Sequence, residues 1–179
     1  MIHDGTTEFF ADHPVQYSRK GEVIQTNAFT LGEPCMDHYK HYTRIRQMLM
    51  RVFQEMGDKR KDMAQDISGE EVKAIEEGHE QATEELAAAL EVLLLTSERV
   101  DVAEFMETFR VMACMNSRKP IVTLDDEQRL TDAIWSNMHP DDGYKMAIRW
   151  AAFFAMPSDA DQKTSLSKQS QSASQPRVV

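Results

Sequence analysis

A chain of 179 residues with 30 Asp/Glu against 20 Lys/Arg carries a net charge of −10, which repels nucleic acid and argues against a general DNA- or RNA-binding role. Two cysteines are too few for the disulfide framework of a small secreted domain, and no signal-peptide pattern opens the chain. No apolar run nears the ~20 residues of a membrane span, so a cytoplasmic protein not integral to a membrane is expected, in the host cytoplasm if the protein is viral.

In chain order, residues 1–13 are polar apart from Phe9 and Phe10 and read as a flexible arm. Residues 14–33 hold two β-leaning runs, PVQYS and VIQTNAFTL, around the charged turn RKGE, the pattern of a β-hairpin. Val15 and Tyr17 share one face of the first run, whereas neither face of the second is cleanly apolar under strict alternation. A lone hairpin is marginal in water, so this one is expected to lie on helices or on a partner.

Residues 34–157 read as a helical domain of about five helices. Pro34 suits a first helical position, and Tyr42, Ile45, Leu49, Val52 and Met56 recur at helical spacing before Gly57 ends the first helix. The second covers about residues 68–96, with Ser68 and Glu71 spaced as a capping box. Its apolar stripe is Val72, Ile75, His79, Ala82, Leu86, Leu90 and Leu93, surrounded by glutamates. A third helix, about 101–116, aligns Val102, Phe105, Phe109 and Met112. Thr123 with Asp126 signals the start of a fourth carrying Leu130, Ile134 and Met138. The fifth, about 141–155, follows HPDDG and aligns Tyr144, Ile148, Ala151 and Phe154, with Trp150 beside the stripe. The Ser/Gln-rich residues 158–179 read as a disordered tail. The fold class expected is thus mainly α, a compact bundle-like domain preceded by a small hairpin.

Charge is segregated along the helical part: residues 35–61 carry +4 and residues 62–98 carry −10. Cys35, His38 and His41 have zinc-ligand chemistry. On one helix, however, Cys35 and His41 fall ~120° apart and converge poorly, so solvent-facing histidines are expected instead. Glu76 and His79 have the Glu-x-x-His spacing of di-metal carboxylate bundles, but the second copy that chemistry needs is missing. Neither Cys35 nor Cys114 has a partner legible as a catalytic base. No Gly-rich phosphate loop, GxSxG or CxxC occurs among the 7 glycines. No catalytic, cofactor-binding or metal-ligating residues are therefore assigned, no cofactor is expected, and an enzyme is not expected. Twelve methionines suit a surface that accepts varied apolar partners, or an adaptable helical core.

The segment PVQYSRKGEVIQTNAFTLGEPCMDHYKHYTRIRQMLMRVF combines strand, charged turn, a second strand ending in Leu31 and Pro34, and then a helix. Over residues 14–55 it resembles the opening of tail assembly chaperones of long-tailed bacteriophages, small acidic cytoplasmic proteins. The resemblance implies a non-enzymatic role in which the apolar, helical tape measure protein is coated and kept soluble and tail tube subunits are recruited. It carries over no individual residue. The partner-binding surface is instead expected from the stripe itself, at Val72, Ile75, His79, Leu86, Leu90 and Leu93, part of which should project from so small a core and support a homo-oligomer. The alternative is a helical regulatory or adaptor protein that docks a basic surface through its acidic helix 68–96.

Overall fold

The computed structural model describes residues 5–62, 79–125 and 127–156. Its first element is β1 (Thr6–Arg19), followed by β2 (Glu22–Gly32), a 3-10 turn (Met36–His38) and α1 (Tyr39–Asp62). Then come α2 (His79–Thr96), α3 (Val102–Ala113), β3 (Val122–Leu124), the single-turn α4 (Asp132–Trp135) and α5 (Pro140–Phe154). The strands form one antiparallel sheet in the order β1-β2-β3. Among the described residues the architecture is a three-stranded sheet packed with five helices, which corrects the expectation of a mainly α, bundle-like domain with an accessory hairpin.

Two stretches account for that correction. β1 begins at Thr6, inside the expected arm, because Phe9 pairs with Phe29 and turns inward, only 7% exposed. The residues where a fourth helix was expected to start instead pair as β3 with β2, Leu124 opposite Phe29 and Val122 opposite Leu31. Ile121, Val122 and Leu124 are buried, so a β-branched apolar run outweighs the cap-like spacing of Thr123 and Asp126. Helix resumes only at α4, where the Thr131 hydroxyl accepts from the Ile134 N–H.

The β1–β2 turn is Lys20-Gly21, both at positive φ (50° and 83°), between the paired residues Arg19 and Glu22. Two left-handed residues in a two-residue loop match the twist of the strands they join. Further along, the register jumps from Phe10 opposite Ala28 to Val15 opposite Thr26, so residues 11–14 bulge out against Asn27. The bulge also inverts the alternation of β2: Thr26 faces in, and beyond it Phe29 and Leu31 do. Neither parity alone is apolar for this reason.

The helices cover one face of the sheet around a single core. Phe105, Phe109 and Met112 of α3 and Ile45, Leu49 and Val52 of α1 are buried in it. α1 starts after the 3-10 turn, later than Pro34, and runs through Gly57 to Asp62 because packing outweighs the roughly 1 kcal/mol that glycine costs inside a helix. At the centre lies α5, entered through His139 at the N-cap, Pro140, and Asp141 and Asp142 in the first turn. Trp150 is fully buried, donates from Nε1 to the Gly32 carbonyl at 3.0 Å and meets Phe109, Tyr42 and Phe154 with ring centroids 5.8–6.3 Å apart. No helix among the described residues is long and apolar enough to cross a membrane. The expected disordered tail, residues 158–179, lies outside the described residues.

Candidate functional site

β1 is an edge strand, paired on one side by β2. Beside its start the surface opens into a groove of about 1110 Å³ against α2 and α5. Five consecutive residues, Thr6, Thr7, Glu8, Phe9 and Phe10, line it, so the strand offers its backbone edge as well as side chains. Ala87, Ala88 and Ala152 line it with small residues from the two helices, and Phe10, Ile148 and Phe153 add larger apolar side chains. Phe10 is 62% exposed and Phe153 37%. Glu84, Glu91, Lys145 and Arg149 put both signs of charge on the rim, where Arg149 lies 3.6 Å from Glu84.

Near the groove, the β1 bulge is fastened to the start of α5. Asp142, fully buried, accepts from the backbone N–H groups of Asp12 (2.9 Å) and His13 (3.0 Å), and its Oδ2 lies 2.9 Å from His13 Nδ1. Burial pushes the Asp142 carboxyl up most strongly, but the Asp12 and His13 hydrogen bonds together outweigh it and hold the group below the ordinary carboxylate range. His139 stacks on His13 with centroids 4.0 Å apart, and Lys145 Nζ donates to Asp12 at 2.7 Å. Among the described residues, His13, His139 and Asp142 are the one group of three metal-ligating side chains whose donor atoms all lie within 4.8 Å.

No family model, curated protein or solved structure matches this chain.

The partner-binding stripe expected from the sequence is only partly described. Val72 and Ile75 lie outside the described residues, as does Glu76, and His79 opens α2. Leu90 is fully buried, while Leu86 and Leu93 are half-buried against the core, so this part of the stripe packs inward. The exposed large apolar side chains described on α2 are Val92 and Leu95, on its other side. Of the acidic helix 68–96 expected as the alternative to dock a basic surface, residues 68–78 lie outside the described residues.

Cys35 and His38 do meet. Cys35 Sγ lies 3.2 Å from His38 Nδ1, which also accepts the Cys35 N–H at 3.0 Å, an arrangement that caps the 3-10 turn. His38 is fully buried, not solvent-facing as expected, because this capping role folds its ring under the turn. Burial holds its pKa below the ordinary histidine value, against the raising effect of Asp37. His41 follows on α1, half-buried and outside this pair. Cys114 is half-buried and its thiol is pushed up to about 11, chiefly by burial.

Sequence reasoning missed the His13, His139 and Asp142 cluster. The HPDDG segment is legible as a helix start, but nothing in it points to a partner at residue 13. Only the bulge in β1 brings the two together.

Proposed function

We propose that this chain is a non-enzymatic binding protein that holds an apolar helical segment of another protein, in the manner of a tail assembly chaperone acting on a tape measure protein. The observation that carries this reading is the groove between the start of β1 and helices α2 and α5. Lining alanines let a helix approach closely, Phe10 and Phe153 offer apolar contact to its side, and the charged residues keep the empty groove soluble. A helix ~10–12 Å across filling 1110 Å³ would occupy the groove for about two turns. That volume lies at or above the ~300–1,000 Å³ of ordinary small-ligand sites. The groove lies beside the Leu86, Leu90 and Leu93 stripe of α2, of which Leu90 is fully buried and the other two half-buried, and is offered as the partner surface for its exposed lining. On this reading the compartment is the cytoplasm of the infected host, tail tube subunits join through the held partner, and copies of the chain self-associate.

Co-expression with a tape measure protein tests the reading. The wild-type chain should keep the tape measure protein soluble and co-purify with it. Ala88→Arg, an exposed substitution by a good helix former that intrudes on the groove lining, should leave the fold intact and release the partner to the insoluble fraction. A tape measure protein held equally well by this variant refutes the groove as the docking surface.

A further inference from the structure

We propose that His13, His139 and Asp142 form a binding site for one divalent transition-metal ion of the zinc class, with three protein ligands and a fourth position open to solvent. The inference is independent of the docking reading above. Two imidazoles and a carboxylate are the donor set of three-ligand zinc sites. With bonds of ~2.0–2.1 Å in tetrahedral geometry, donor atoms sit roughly 3.3 Å apart. His13 Nδ1 and Asp142 Oδ2 are already 2.9 Å apart, and no pair in the set exceeds 4.8 Å. Closing the remaining distance needs only side-chain rotation, for which there is room: the His13 side chain is 56% exposed and that of His139 43%.

The rings are stacked at 19° with centroids 4.0 Å apart, which holds the two imidazoles next to each other. An ion would turn each ring toward itself, while the bulge and the α5 N-terminus keep both on the same side of Asp142.

The buried carboxylate supplies the second argument. Buried charges are normally paired or bound to metal, yet the groups bonded to Asp142 are two peptide N–H groups and an imidazole, with no permanently cationic side chain among them. Lys145, the nearby cation, bonds Asp12 instead. A divalent ion placed against Oδ2 and the two rings would supply the missing positive charge where the fold concentrates negative charge. It would also join the β1 bulge to α5 through metal–ligand bonds.

Titration of zinc chloride into the full, tag-free chain, stripped beforehand with chelator, tests this by calorimetry and thermal unfolding. The expected result is about one zinc per chain, as a three-ligand site requires, with a rise in unfolding midpoint. His13→Ala and His139→Ser should each weaken binding by about tenfold or more. The serine keeps a side chain able to cap α5, so both variants should stay folded. His41→Ala, beside the Cys35 and His38 pair, should leave the affinity unchanged. Cobalt(II) in place of zinc should show the visible bands of a nitrogen and oxygen site without a thiolate charge-transfer band. No saturable binding, binding that survives both histidine substitutions, or a thiolate band would each overturn the proposal.

Discussion

Replacing Leu90 with alanine should cost about 3–4 kcal/mol, because this residue of the α2 stripe is 0% exposed and packs toward α5. The change removes roughly three methylene equivalents at ~0.8 kcal/mol each, about 2.4 kcal/mol of transfer free energy. A residual cavity of roughly 50 Å³ at ~24 cal/mol per Å³ adds about 1.2 kcal/mol. Urea denaturation followed by circular dichroism reads the loss directly. With a slope of ~2 kcal/mol per molar, the midpoint should fall by about 1.5–2 M. Leu95→Ala is the control: Leu95 is 60% exposed on the same helix and should cost less than ~0.5 kcal/mol. A Leu90→Ala cost below ~1 kcal/mol, or equal costs at the two positions, would show that the stripe faces solvent or a partner and that α2 docks differently.

Glu55 is held down to about 2 by Lys59, Ser97 and the Glu98 N–H, so its stabilising effect should be complete above the ordinary glutamate pKa of 4.5 and disappear as pH falls from there through about 2. Urea midpoints measured across that range should show this loss, and Glu55→Gln should flatten it. Lys20 holds φ at 50° in the β1–β2 turn, where asparagine is better tolerated, so Lys20→Asn should raise stability by about 0.5–1 kcal/mol in the same assay. With its thiol pushed up to about 11 by burial, Cys114 should alkylate at pH 8 about a hundredfold more slowly than an ordinary thiol, a difference that mass spectrometry of iodoacetamide-treated protein would reveal and denaturant should erase.

Local signals in the sequence carried well where one element decides its own burial. Val15 and Tyr17 of β1, Phe105 and Phe109 of α3, and Ile148 and Ala151 of α5 are buried as their spacing implies. The failures share a cause: each depends on a partner distant in the chain. β3 is only three residues long, and Val122 and Leu124 become a strand because Leu31 and Phe29 lie opposite them. The mixed pattern of β2 makes sense only with the bulge in β1. Likewise, the Cys35 and His38 contact was within reach of local spacing, but the depth of His38 was not. The groove draws on β1, α2 and α5 together, and no periodicity within any one of them marks it.

The fastening of the β1 bulge also bears on the order in which the chain matures. Asp12 and Asp142 are separated by 130 residues, so at ~5–20 residues per second a ribosome would deliver the acceptor about 7–26 s after its donor. A hairpin closes within microseconds. The β1–β2 pair can therefore form long before α5 arrives, leaving the bulge at residues 11–14 unfastened beside neighbouring nascent chains. Crowded polysomes would be the setting in which that interval matters most, and the arrival of α5 ends it.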